Sequence, residues 1–151
     1  AELMVGVGRE LLDKGDAERA VSAFERAREL HPANLGAITD LGVALSQLER
    51  DDEAVELSSE AIDSVAGGEL LRFNRGNATR RLGNLDQAIT DYRRCLEFLP
   101  EWNDVRVNLV STLQMNGDLD DADAEIELLA SHDAPPELIE MLRENLEEAR
   151  G

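Results

Sequence analysis

Apolar positions in this chain recur on two beats. On the shorter one they fall three and four residues apart: Leu3, Val7 and Leu11, then Ala17, Ala20, Val21, Phe24, Ala27 and Leu30, the spacing of one helical face. Gly15-Asp16 interrupts the pattern between these stretches. Glycine takes the left-handed geometry that ends a helix, and aspartate caps the next one. The same turn returns as Gly83-Asn84 and Gly117-Asp118, so each stretch is predicted to be two helices joined by a tight turn. In Leu48-Glu49-Arg50-Asp51-Asp52, Glu49 stands where glycine is expected, which predicts either strain or a different turn. Pro32 and Pro100 predict the ends of two second helices, and Gly67-Gly68 the end of a third.

The longer beat is 34 residues, marked by Ala20, Ala54, Ala88 and Ala122. Gly8, Gly42 and Gly76 precede three of these alanines by a constant interval, and Ala27, Ala61 and Cys95 follow them by another. Small side chains at a crossing let two helices approach to the near end of roughly 8–10 Å. A period of this length marks stacked units that bury their faces against one another. The predicted fold is therefore all-α: an α-solenoid of four helix-turn-helix units over residues 1–34, 35–68, 69–102 and 103–136, with a capping helix over 137–151. The fourth unit is degenerate, with Val110 and Leu129 at small-residue positions. Beyond Pro135-Pro136, the residues Leu138, Ile139, Met141, Leu142, Leu146 and Ala149 form one amphipathic stripe, and the acids around it suit a solvating cap. Solenoids usually serve as binding surfaces.

Charge sharpens this reading. A net charge of -18 repels nucleic acid and anionic membranes, so neither is expected as a partner. Residues 69–102 are the exception, with six arginines against five carboxylates. Lys14 is the single lysine among fifteen basic residues. Acid excess with few lysines fits adaptation to high salt, where screening removes self-repulsion, and equally fits a genome that favours arginine codons. Five aromatic residues, Phe24, Phe73, Tyr92, Phe98 and Trp102, leave the core to Leu, Ala, Val and Ile.

Cys95 is alone, so no intrachain disulfide forms and a reducing compartment is favoured; it reads as a small core residue. No apolar run reaches the roughly 20 residues of a membrane span, and no signal segment opens the chain, which points to the cytoplasm. Ala1 falls directly on the first position of a repeat, as it would in a piece of a longer protein. Catalysis finds no constellation: His31 and His132 lie far apart in turns between units, and most carboxylates sit at helix starts or on outer faces. Asp118, Asp120, Asp121 and Asp123 lack the glycine and terminal glutamate spacing of a calcium loop. No enzyme activity, metal or cofactor is expected.

The pattern resembles the tetratricopeptide repeat. Asn74, Gly76, Asn77, Leu82, Gly83, Ala88, Ile89, Tyr92, Leu96 and Pro100 fall on that family's positions in the third unit, as do Gly8, Leu11, Gly15, Ala20, Phe24, Ala27 and Pro32 in the first. Ser58 departs from it where Phe24 and Tyr92 carry bulk, as do Arg72 and Thr79 where aromatic residues are common. The resemblance implies a right-handed superhelix whose first helices line a concave groove, and it implies a protein or peptide partner there, as an extended segment or a helix. The groove residues it assigns are Arg9, Thr39, Asp40, Val43, Phe73, Asn74, Asn77, Arg80, Arg81, Val107, Asn108 and Ser111.

Among them, asparagine amides donate and accept at once, which suits a peptide backbone. Arg80 and Arg81, with Arg9 and Arg106 as helpers, match an acidic side chain or terminal carboxylate. Ordinary solvated surface explains both sets as well. Chaperone-binding members clamp with lysine and asparagine; Val5 and Arg9 stand at those positions here, so that clamp is not expected. The resemblance also implies that Arg75 pairs with Asp91 inside the repeat. The alternative role is structural: a self-associating module, homo-oligomeric through Met115, Met141 and other exposed apolar residues, or a spacer in a larger protein.

Overall fold

A computed structural model of the chain describes residues 1–64 and 66–151. Nine helices are found among them: α1 (Glu2–Asp13), α2 (Ala17–Leu30), α3 (Leu35–Gln47), α4 (Asp51–Ala61), α5 (Glu69–Arg81), α6 (Leu85–Phe98), α7 (Asn103–Asn116), α8 (Leu119–Ser131) and α9 (Pro136–Arg150). Each packs against the next in sequence. The odd helices also touch one another in succession, α1 with α3 and so on to α9, whereas among the described residues the even ones do not. The odd helices thus form the tighter, inner side of the row. This is a helical-repeat solenoid.

The turns explain the phasing. Gly15, Gly83 and Gly117 have φ of +79°, +84° and +83°, and Asp16 and Asn84 then accept from Arg19 N and Gln87 N as caps. Glu49 is forced into the same region at φ 58°, so the second turn keeps the geometry of its siblings and carries the strain. His31 and Leu99, each before a proline, are pushed to extended backbone and close α2 and α6. The second unit departs from expectation. Its helix α4 stops at Ala61, well ahead of Gly67-Gly68, because Ser64 turns back and donates from both N and Oγ to the Ala61 carbonyl.

Inside each unit a residue on the first helix meets one sixteen positions later on the second. Gly8 faces Phe24 and Gly76 faces Tyr92, with both rings fully buried; the fourth unit has Val110 and Ile126 at these positions. Glycine beside a ring and valine beside isoleucine fill similar volume. The second unit pairs Gly42 with Ser58 and leaves space.

The apolar core is in two blocks. One runs from α1 to α5, ending with Leu71 and Ala78; the other runs from α6 to α9 and includes Phe73 at its margin. Between them, α5 carries mostly polar side chains.

Candidate functional site

The polar seam along α5 opens on the inner side of the solenoid. There, Gly42, Val43, Ser46 and Gln47 of α3 and Asn74, Asn77 and Arg81 of α5 enclose a pocket of about 320 Å³.

Two of these side chains, Asn77 and Arg81, are set by neighbours far away in sequence. Asn77 Oδ1 accepts from the Tyr92 hydroxyl at 2.6 Å and from Asn108 Nδ2 at 2.9 Å. Burial, opposed by Arg80 and Arg81, pushes the Tyr92 phenol up to about 12, so it stays protonated and donates. With its oxygen occupied twice, Asn77 offers the groove its NH₂. Asn74 Nδ2 is buried at its own atom and has no hydrogen-bond partner. Arg81 donates from Nε and Nη2 to the buried Asp51 at the start of α4, at 3.1 and 2.8 Å. Arg80 makes no ion pair among the described residues. Adjacent arginines therefore have different jobs: Arg81 ties α5 to α4, and Arg80 is a free cation.

Asp51 is held below the usual carboxylate range, chiefly by the hydrogen bonds from Arg81 and against the effect of burial. A depressed native value means the stabilisation is present above the unfolded value of about 3.9 and is lost as pH falls through the native value. The Asp51→Asn variant should therefore lose stability less steeply than the parent as pH falls below about 4. Urea midpoints across that range check it.

The remaining candidates are placed as follows. Arg9 Nε donates to Asp40 at 2.6 Å, so two groove charges at the α1 and α3 end neutralise each other. Thr39 is buried, with its Oγ1 unbonded. Val43 is exposed on the pocket wall. Phe73 turns into the core margin, with its ring centre 6.1 Å from that of Tyr92 and 5.1 Å from that of Trp102. Val107 is partly buried beside the same block, and Ser111 Oγ donates to its carbonyl. Arg106 does not reach the groove as a helper. It is buried, donating to Glu125 and to the Pro100 carbonyl at 2.7 Å. Arg75 grips Asp91 through Nε and Nη2 at 2.8 and 2.7 Å, as expected, and adds Ser59 of α4.

Sequence reasoning missed Asp51 as the partner of Arg81 and Tyr92 as the group that orients Asn77. The signal was available. A 34-residue repeat brings the end of each first helix and the start of each second helix to the same edge, which is where Arg81 and Asp51 lie.

Cys95 is buried; its thiol is pushed up to about 12, mainly by burial, and donates to the Glu69 carbonyl at 3.2 Å. It is a neutral packing group at physiological pH. Asp120, Asp121 and Asp123 are answered by arginines, Arg150 and Arg93, at 3.2 to 3.8 Å. Among the described residues, no helix is long and apolar enough to cross a membrane.

Comparison with known proteins agrees with this geometry. Residues 11–67 match one family profile described as a tetratricopeptide repeat, and residues 71–100 match a second with the same description. A tetratricopeptide repeat protein from Parabacteroides merdae has a similar structure, with a TM-score of 0.87 at 20% identity over 99% of this chain and 60% of that one. This chain thus spans 60% of the length of that protein. MamA protein gives a TM-score of 0.82 at 18% identity, over 98% of this chain and 85% of its own. YrrB, described as a tetratricopeptide repeat protein with an unusual peptide-binding site, gives 0.74 at 17% identity, over 97% and 84%. At these identities the likeness is one of fold.

Proposed function

Because the chain belongs to the tetratricopeptide repeat family, we propose that it is a protein-interaction scaffold whose groove takes an extended peptide segment along the second to fourth units. The observation that carries this reading is a row of donors on α5 that no acceptor of the fold engages, with Asn74 Nδ2 buried as well. Asn74 Nδ2 is buried and unbonded, Asn77 has only its NH₂ to offer, and Arg80 has no carboxylate in a chain rich in them. Unmet donors favour a guest that brings acceptors: backbone carbonyls at the asparagines and an acidic side chain or terminal carboxylate at Arg80. The peptide-binding site ascribed to YrrB supports the use of such a fold for this purpose.

A peptide-array screen followed by fluorescence anisotropy tests the proposal. Asn74→Leu breaks no hydrogen bond of the fold and should weaken the best binder about ten-fold, the value of one lost charge-free contact plus the desolvated carbonyl it leaves. Arg80→Glu should weaken acidic peptides and spare neutral ones. An array without binders, or binders indifferent to both changes, would remove the reading. The self-associating alternative rests on the exposed Met115 and Met141. Light scattering over a concentration series separates it, since a strict monomer weakens the self-associating form.

A further inference from the structure

Gly8, Gly42, Gly76 and Val110 hold one position of the repeat, and the residue there follows what lies opposite. Glycine goes with a ring, Gly8 with Phe24 and Gly76 with Tyr92, whereas the fourth unit has Val110 and Ile126. The second unit breaks this rule. It keeps Gly42, yet Ser58 stands at the ring's position and a Cβ on Gly42 would meet nothing within 4 Å. The surrounding positions are small as well. In the third unit Phe73 leans towards Tyr92 on one side and Trp102 on the other; in the second unit Thr39 and Gly68 replace Phe73 and Trp102. A stack of three rings has become a threonine, a serine and a glycine.

Two polar groups around this gap are left without partners. On either side of it, successive first helices are bonded across 31 residues: Arg9 donates to Asp40 at 2.6 Å, and Asn108 donates to Asn77 at 2.9 Å. Val43 and Asn74 hold these positions at the junction between. Valine accepts nothing, and Asn74 Nδ2 is buried without a bond. Thr39 is 8% exposed, and its Oγ1 is also unbonded. Gly42, Val43 and Asn74 line the pocket of about 320 Å³, so the gap opens on the groove.

We infer that this gap seats an aromatic side chain, tyrosine or phenylalanine, of the guest held in the groove, laid on Gly42 as Phe24 is laid on Gly8. The inference rests on the proposed groove reading and deepens it. The guest's ring enters from the inner side, where Tyr92 enters from α6, so the guest's backbone stays at the mouth with its carbonyl within reach of Asn74 Nδ2. An aliphatic side chain suits the seat less well, because the fold itself exchanges glycine for valine where it packs isoleucine. A ring restores the burial and the contacts that the second unit forgoes. The unbonded Thr39 hydroxyl suits the phenol of a tyrosine.

The tyrosine side chain alone, as p-cresol, tests the gap without a peptide. Titrated into the isotope-labelled chain, it should give saturable amide shifts centred on Gly42 and Asn74. Ser58→Phe supplies the missing ring from within the fold and should abolish them while raising the unfolding midpoint. Gly42→Ala, which places a methyl on the seat, should weaken them about ten-fold and keeps the test decisive if Ser58→Phe does not fold. In a peptide taken from the array, exchanging the aromatic residue for leucine should cost about ten-fold in affinity. Shifts that are absent, or that survive both substitutions, overturn the inference. So do peptides that bind and are indifferent to that exchange, an outcome that leaves the groove reading standing. Saturable p-cresol binding with an empty array does the reverse: it supports the aromatic seat and removes the peptide.

Discussion

Replacing Asp91 by alanine should lower the unfolding free energy by about 3 kcal/mol, a loss typical of a buried ion pair deprived of one partner. Asp91 is 3% exposed at its side chain and Arg75 is 19% exposed. Removing the carboxylate leaves a guanidinium largely out of water with Ser59 as its one hydroxyl partner at 3.2 Å. The cost is that of stranding a charge, which is larger than the pair's own worth. The second unit shows how the same two positions are filled without charge: Leu41 stands for Arg75, and Leu57 stands for Asp91. Arg75→Leu combined with Asp91→Leu should therefore recover most of the loss, and the non-additivity measures the coupling. Glu127→Ala is the control. It breaks the half-exposed pair with Arg143 at 2.7 Å and should cost about 0.5 kcal/mol or less. Urea unfolding of the parent, Asp91→Ala, the two single leucine variants, their double and the control decides the matter, and an Asp91→Ala loss no larger than the control's would show that the seam is not held by this pair.

What the sequence made legible was everything that depends on spacing. The helices, their turns and the 34-residue stacking follow from small and apolar residues recurring at fixed intervals, and the Arg75 to Asp91 pair from the resemblance to the repeat family. What stayed hidden depends on which of two neighbours a side chain meets. Arg80 and Arg81 are adjacent, about 100° apart around α5. That angle sends Arg81 back to Asp51 of the preceding unit and leaves Arg80 free, a choice that periodicity does not contain. Arg106 is similar: its position belongs to a first helix and reads as groove-side, yet Glu125 and a carbonyl draw it inward. The early end of α4 turns on one serine hydroxyl, a local competitor that glycine spacing does not reveal. The groove itself was legible as a surface. Its donor-rich character was not, because that follows from Tyr92 and Asn108 together occupying the oxygen of Asn77.

Two chemically identical substitutions should move stability in opposite directions: Gly8→Ala should cost about 2 kcal/mol, and Gly42→Ala should gain about 1 kcal/mol. Both glycines lie in first helices at the same repeat position, where alanine is intrinsically favoured over glycine by about 1 kcal/mol. The difference is the residue opposite. A Cβ on Gly8 would lie 2.4 Å from Phe24 Cε1 and 2.6 Å from Cζ, and that ring is fully buried with nowhere to retreat. Overpacking of this kind costs roughly 1–3 kcal/mol beyond any helical gain. At Gly42 a Cβ meets nothing within 4 Å, because Ser58 replaces the ring. Gly76→Ala falls between, with Tyr92 Cε1 at 2.8 Å. Shrinking the ring relieves the clash, so Phe24→Leu should be less damaging beside Gly8→Ala than alone. Thermal and urea unfolding read all of these, and a destabilised Gly42→Ala would mean that the second unit is packed as tightly as its siblings. Gly42 also lines the pocket beside Asn74 and Asn77, so its added methyl narrows that space while it firms the fold. If the pocket holds part of a peptide, Gly42→Ala should bind more weakly even as it melts later, and that opposition separates the groove's function from the stability of the scaffold around it.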